Sequence, residues 1–407
     1  MRMRNSSTLN RSYIVVWVVM FTTLLLKIMT IEGQAPSLIK FIFAAGLWVS
    51  LLMFPYDFVR NNDLGKSANF LLKIIVLLVI IAVLRSMFGN IEGHVGNKWL
   101  TLFGNDTCMF MLLTPCFIYL SKRPDSVFVL KAATQTYLFI GTLVILWGNV
   151  PTPRILWFSA VLFPFMNKLN RLLVIISLIL ACYLAFFIEE TSRSTIVIIV
   201  VVLLMYVCVY WLKNKRIIWI LCMSLLFLPL FYSVIMLIDP QFSAFEIILN
   251  LLFDRTGDEV LTTDTRSFLF REMAEDLTRN NSWLLGKGAL SHYYSNFFAN
   301  STSSSEAATR IGSEVTLLQL LLRSGVSYAI TYYSIIIYAV YSALKKSKNM
   351  FLISIAVMAS GWSLFSCISY LNGCDFMHLG FFLLLGCCLS KKWQRYSDDD
   401  IKQLLLK

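Results

Sequence analysis

Three places in this chain set charged and hydroxyl side chains where they can do chemistry. The first is the run Glu189-Glu190-Thr191-Ser192-Arg193-Ser194 between two apolar blocks. A lone arginine at a helix end usually reaches for the membrane surface, but here carboxylates and hydroxyls crowd around it. The second is the polar stretch from Asp239 to Glu314, with Arg255, Arg266, Arg271, Arg279, Lys287 and Arg310 among a larger number of acids. The third is Arg323, inside an apolar segment, where a charge needs a cavity or a partner, whether for function or for packing. His94, His292 and His378 complete the titratable set. Asp375 with His378 reads as an acid–base pair, and no third residue points to a metal. The nine cysteines are scattered singly apart from Cys387 and Cys388 and read as small apolar packing residues.

The elements that position these groups are helices in lipid. Hydrophobic residues make up 58% of the 407 positions and charged residues 14%, and the mean hydropathy is +0.71. Water-soluble domains do not have this composition. The apolar residues fall into blocks of about 17–25, the length that carries a helix across roughly 30 Å of hydrocarbon. The pattern predicts helices near 13–30, 37–58, 69–88, 103–120, 129–148, 153–166, 171–189, 194–212, 217–238, 315–343, 350–370 and 373–390. That is an all-α polytopic membrane protein with about twelve transmembrane helices. The block at 103–120 is weakened by Asp106 and Thr107, and that at 153–166 is short and bracketed by Pro151, Pro153 and Pro164. The first block is read as a retained helix because no small-residue cleavage site follows it.

Charge sets the expected orientation. With the amino terminus in the cytoplasm, the inside segments collect Arg2, Arg4, Arg11, Arg60, Lys66, Lys122, Arg123, Lys131, Lys168, Arg171, Lys213, Lys215, Arg216, Lys345, Lys346, Lys348 and the basic residues after Ser390. The short outside connections hold only Lys27, Lys40, Arg85, Lys98, Arg154 and Arg193. This is a positive-inside bias with both termini cytoplasmic. It accounts for the net charge of +12 without nucleic acid as a partner. Lys73 reads as a snorkelling residue near a cytoplasmic helix end. The expected organisation is helices over 1–238, a large outer loop over 239–314 between the ninth and tenth helices, helices over 315–390, and a cytoplasmic tail over 391–407.

A loop that long normally works as a lid or binding element. Phe242 to Phe253 is largely apolar and reads as a membrane-surface segment. Residues 265–279 predict an amphipathic helix with Leu269, Met273 and Leu277 on one face and Thr263 or Asp264 as cap. Trp283-Leu-Leu-Gly286-Lys-Gly288 predicts an apolar anchor and a tight turn. The serine-rich run from Asn300 to Ser305 reads as a mobile cover. Arg323 falls about nine residues, or roughly 13 Å, into the helix that starts near Glu314.

Together these motifs resemble the O-antigen ligase and Wzy-type polysaccharide polymerase superfamily. Thr191-Ser192-Arg193-Ser194 is similar to the serine-arginine element that opens an earlier helix in that family. Thr265-Arg266-Ser267, a helix, then Trp283 to Gly288 is similar to its arginine, helix, leucine-glycine-x-glycine order. Glu314-Val-Thr-Leu-Leu-Gln-Leu-Leu-Leu-Arg323-Ser-Gly325 resembles the helix by which the family's chain returns to the membrane. The resemblance covers roughly 185–330. The histidine that ligases typically carry before this helix is absent, and Arg310-Ile-Gly-Ser-Glu314 stands there instead, which favours polymerase over ligase.

The resemblance implies glycan transfer from an undecaprenyl diphosphate carrier to a sugar hydroxyl at the outer face of a bacterial inner membrane. Such chemistry needs cations on the leaving diphosphate, and guanidinium groups bind phosphate oxygens in pairs. Arg193 and Arg266 are expected first in this role, as catalytic and substrate-binding residues, with Arg310, Arg323 and Glu190 as further substrate-binding residues. Glu314 is the expected general base, its alternative being a helix-start carboxylate in the macrodipole. Asp264, Glu190 and His292 are weaker candidates. The scheme requires no metal or cofactor and inverts the anomeric carbon. A chain-length regulator is a further expected partner. The alternatives are an O-antigen ligase acting on lipid A core and a flippase or other secondary transporter.

Overall fold

The computed structural model describes residues 45, 48, 63–88, 101–103, 108–122, 124–146, 155–187, 193–211, 214–239, 267–296, 299, 309–310, 312–347, 349–368 and 376–405. Within them the chain is highly helical, with a single two-residue ladder as its only sheet. The helices expected at 13–30 and 37–58 lie outside the described residues except for Ala45 and Trp48. The segments 242–253 and 300–305, and Glu190, Asp264, Arg266, His94 and Asp375, lie outside them as well.

In chain order the elements are α1 (Lys66–Phe88), α2 (Met109–Leu113, continuing as a 3-10 helix over Thr114–Lys122), α3 (Pro124–Leu146), α4 (Ile155–Leu162), α5 (Lys168–Phe187), α6 (Arg193–Tyr210) and α7 (Lys215–Ile238). After them come α8 (Ser267–Arg279), β1 (Tyr293–Tyr294), β2 (Thr309–Arg310), α9 (Thr316–Lys346), α10 (Met350–Ile368), α11 (Phe376–Leu389), α12 (Lys391–Arg395) and α13 (Asp398–Leu405). Four helices, Lys66–Phe88, Lys215–Ile238, Thr316–Lys346 and Met350–Cys367, are long and apolar enough to cross a membrane. Met109–Lys122, Leu156–Phe165, Ile199–Cys208 and Phe376–Leu389 are shorter apolar stretches.

These helices are apolar on both their inner and outer faces. In α7, Ile218, Cys222, Leu226, Pro229, Ser233 and Met236 recur every three or four residues and are buried, while Phe227, Leu228 and Phe231 on the other side are exposed. α1 does the same, burying Leu72, Ile75, Val79 and Ala82 and exposing Phe70, Leu77, Ile80 and Phe88. Exposed apolar surface of this extent belongs in hydrocarbon, not water, and it marks a membrane protein.

The centre is built from α9, α10 and α11, with α6, α7 and α4 packed around α10. Lipid tails are as apolar as leucine, so close packing rather than water exclusion holds such helices together. Trp362 accordingly stacks on Phe381 at 4.2 Å and meets Trp157 edge-on at 5.3 Å. Gly361 lets α10 press against Val201, and Gly380 leaves room for Phe158 and Leu130. The two weak predicted helices are irregular for identifiable reasons. In α2, Pro115 removes a backbone donor and Thr114 donates back to Phe110 O and Met111 O at 3.0 and 2.8 Å, so the helix tightens. α4 ends in a 3-10 turn over Phe163–Phe165 around Pro164, whose carbonyls Arg171 holds at 2.7–3.1 Å.

One end of the bundle gathers lysine-bearing segments distant in sequence. Asp63 O accepts from Lys391 N at 3.2 Å, and its carboxylate accepts from Ser390 Oγ at 2.5 Å and Lys392 N at 3.2 Å. Asn349 Nδ2 donates to the carbonyls of Trp393 and Tyr396 at 3.1 and 3.0 Å. Trp393 Nε1 donates to Ser121 O at 2.8 Å, and Lys131 Nζ to Leu405 O. The tail expected over 391–407 is thus largely structured, as α12 and α13, with Trp393, Ile401 and Leu405 buried. The signal was present in Ser397-Asp-Asp-Asp400, a capping box in which Ser397 Oγ accepts from Asp400 N at 3.2 Å and Ser397 N donates to Asp400 Oδ2 at 2.9 Å.

Candidate functional site

At the other end of the bundle, α9 is broken. Gly325 has φ +73° and ψ −174°, inside what is otherwise a helix over Thr316–Lys346. A break frees amides and carbonyls that cost several kcal/mol each, as an order of magnitude, if left bare in lipid. The turn Trp283–Gly288 supplies the missing partners. Lys287 N donates to Leu322 O at 2.7 Å and Gly288 N to Arg323 O at 3.1 Å, while Val326 N donates to Trp283 O at 2.8 Å and Ser327 N to Leu284 O at 3.3 Å.

This docking requires glycine on both sides. Gly286 has φ +65° and Gly288 φ +114°, a region that L side chains rarely adopt. A Cβ on Gly286 would strike the backbone of Arg323 and Ser324, and one on Gly325 would strike the backbone of Leu284 and Gly286. The turn is also tied to α1, with Ala289 N donating to Ala82 O at 3.1 Å and Leu290 N to Ser86 Oγ at 3.0 Å.

Depth follows from counting. Val326 to Lys346 and Lys66 to Ser86 each rise roughly 30 Å at 1.5 Å per residue, about one hydrocarbon thickness. Both counts put the turn at the edge of the core farthest from the lysine-rich end. The continuous span read from the sequence placed Arg323 well inside. The helix breaks just after Arg323, which therefore belongs to a half-helix over 316–324 and not to the long span that follows.

α8 lies beside this turn, packed on α7, α9 and β1. Leu269, Met273 and Leu277 are all buried, as the amphipathic spacing predicts. The same spacing carries two acids onto the packed face. Asp276 holds Lys287 at 2.9 Å, with side chains only 12% and 22% exposed, and Lys287 Nζ also donates to His292 O at 2.7 Å. Glu272 is buried and faces Tyr293, whose phenol is pushed up to about 12, chiefly by burial, with Arg310 opposing and Glu272 and Glu314 adding to the rise. Burial also pushes His292 below the ordinary imidazole range; a hydrogen bond to Leu290 opposes this, while the Arg323 and Lys287 cations add to it.

The expected site residues divide accordingly. Arg310 pairs across the β ladder with Tyr293, and its Nη2 lies 3.2 Å from Glu314 Oε1, the side chains being 25% and 52% exposed. Glu314 therefore precedes the half-helix and carries an arginine. Arg323 is fully buried in the same half-helix. Arg193 opens α6, roughly 20 Å by helical rise from Tyr206, which packs on Phe163 beside the lysine-rich end at 5.6 Å. That puts its backbone toward the end that holds Gly325. His378 is buried in α11 against Trp362 at 5.3 Å. Sequence reasoning missed Gln319, one turn before Arg323, and the Lys287–Asp276 pair. Helical spacing flags the first, and only the turn's docking produces the second.

Among the described residues, no three His, Cys, Asp or Glu side chains gather to hold a metal. No family model matches the chain, and no curated protein matches it.

Proposed function

We propose that this protein polymerises undecaprenyl-diphosphate-linked oligosaccharide repeat units at the periplasmic face of a bacterial inner membrane, by metal-independent, inverting glycosyl transfer. One observation carries this reading. The glycine turn over 283–288 and the glycine of the returning helix are the two loop motifs on which the resemblance to O-antigen polymerases rests. They dock on one another through four backbone hydrogen bonds, with Arg323 at the joint and the Arg310–Glu314 pair before the start of the same half-helix.

In this reading the end away from the lysines faces the periplasm, as the charge bias implies. Arg193 and Arg266, with Arg310, Arg323 and Glu190 behind them, hold and orient the diphosphate of the donor, neutralising charge as it leaves. Glu314 takes the proton from the attacking sugar hydroxyl. The hydroxyl oxygen bonds to the anomeric carbon from the face opposite the diphosphate, so its configuration inverts. The absent ligase-type histidine favours polymerisation, and transfer to lipid A core is the alternative outcome.

The test is genetic. Arg193→Ala and Arg266→Ala are expected to leave the protein in the membrane and abolish long polysaccharide on the cell surface. Wild-type length ladders from both variants would remove the mechanism.

A further inference from the structure

We propose that Arg323, Gln319 and Ser324 form a buried seat for an acidic group of a ligand, a phosphate or a carboxylate, beneath the glycine turn. The three residues lie within two helical turns, Gln319 and Arg323 at the i, i+4 spacing that puts side chains on one face. All are essentially inaccessible to solvent.

Their donors are unspent. Arg323 Nε and Nη1, Gln319 Nε2 and Ser324 Oγ have no hydrogen-bond partner. A buried guanidinium without a counter-charge is a costly arrangement that ordinary packing does not produce. Among the described residues no acid is paired with Arg323: Asp276 pairs with Lys287, Glu314 with Arg310, and Glu272 faces Tyr293. A half-helix C-terminus favours a cation through its free carbonyls. Here those carbonyls are taken, Leu322 O by Lys287 N and Ser291 Oγ and Arg323 O by Gly288 N. Gln319 Oε1 is likewise occupied by Ser313 N at 2.8 Å, which fixes the amide and leaves its NH2 as a donor. These side chains thus offer donors and one positive charge, a combination that an anion completes. The seat rests on the proposed function for the identity of its ligand, since Arg323 is there one of the residues that hold the donor diphosphate; anion binding is read without glycan transfer, so the two can fail separately.

The test uses the full chain purified in detergent and heated with inorganic pyrophosphate or with glucuronate. One of them is expected to raise the melting temperature of the wild type by about 3 °C at saturating concentration. A pyrophosphate response assigns the seat to a diphosphate headgroup, and a glucuronate response to an acidic sugar. Arg323→Met and Arg323→Gln are both expected to lose that response. Both are also expected to melt higher than the wild type without ligand, because the unmatched charge is gone. A merely structural arginine predicts the opposite sign. Variants that melt lower, variants that respond like the wild type, or a wild type indifferent to both anions would overturn the proposal.

Discussion

The two ends of the helix bundle satisfy their polar groups in opposite ways. At the lysine-rich end, Asp63, Ser390, Asn349 and Trp393 each spend their hydrogen-bonding capacity on backbone or side-chain partners from distant segments. At the other end the backbone is just as fully used, through the docking of Trp283–Gly288 on the break at Gly325, yet side-chain donors on Arg323, Gln319 and Ser324 are left unmatched. A closed network fixes a fold. Donors held rigidly but left unmatched lower stability and await a ligand. In the proposed reading the first end serves structure and the second recognition.

The comparison breaks first at the glycines. Gly325→Val combines a positive φ with a backbone collision and is expected to cost about 3–5 kcal/mol, read as loss of folded protein in detergent. Gly65→Ala, whose added Cβ meets only Tyr338 Oη at 3.5 Å, is expected to be nearly neutral. Equal losses would show that the joint is not special. Next in size, Asn349→Leu removes two side-chain donations at the lysine-rich end and is expected to lower stability by about 2–3 kcal/mol while leaving polymer length unchanged in cells. A shortened polymer would dissolve the division between the ends.

Smaller again is the Lys287–Asp276 pair. A double-mutant cycle with Lys287→Met and Asp276→Asn is expected to give a coupling of about 1 kcal/mol, since the pair is mostly shielded from water. A zero coupling would detach α8 from the turn. The smallest effect is in pH. His292 is held below its ordinary value of 6.5, so the unfolded chain takes up its proton more readily than the folded one. Its contribution to stability is therefore present above about 6.5 and is lost as pH falls below that value. Melting curves of His292→Gln should be flatter than the wild type's across that range, and an unchanged slope would contradict it.

Much of this was legible in the sequence, and the exceptions have physical causes. Hydropathy finds a helix wherever apolar residues run long, so α1, α7 and α10 fall where expected. Leu269, Met273 and Leu277 disclosed the face of α8 by spacing alone. Hydropathy is blind to a single backbone torsion, so 315–343 reads as one span, and only the resemblance, whose returning helix ends its first turns with a glycine, points to Gly325. Which turn satisfies the break is a long-range fact, and no local pattern pairs Lys287 N with Leu322 O. The structured tail is legible in its capping box at Ser397 and Asp400. Of the candidate site, Glu314, Arg310 and Arg323 do gather at one end. Glu314 pairs with Arg310 at the local i, i+4 spacing, whereas the burial of Arg323 follows from the fold.

The most direct measurement is the product distribution when purified protein is incubated with an undecaprenyl-diphosphate repeat unit. A ladder of lengthening glycans from the wild type and from Asn349→Leu, with little or none from Glu314→Gln, is the result expected if the glycine-jointed end performs transfer. A wild type that makes no ladder, or a Glu314→Gln variant that makes a normal one, would contradict it.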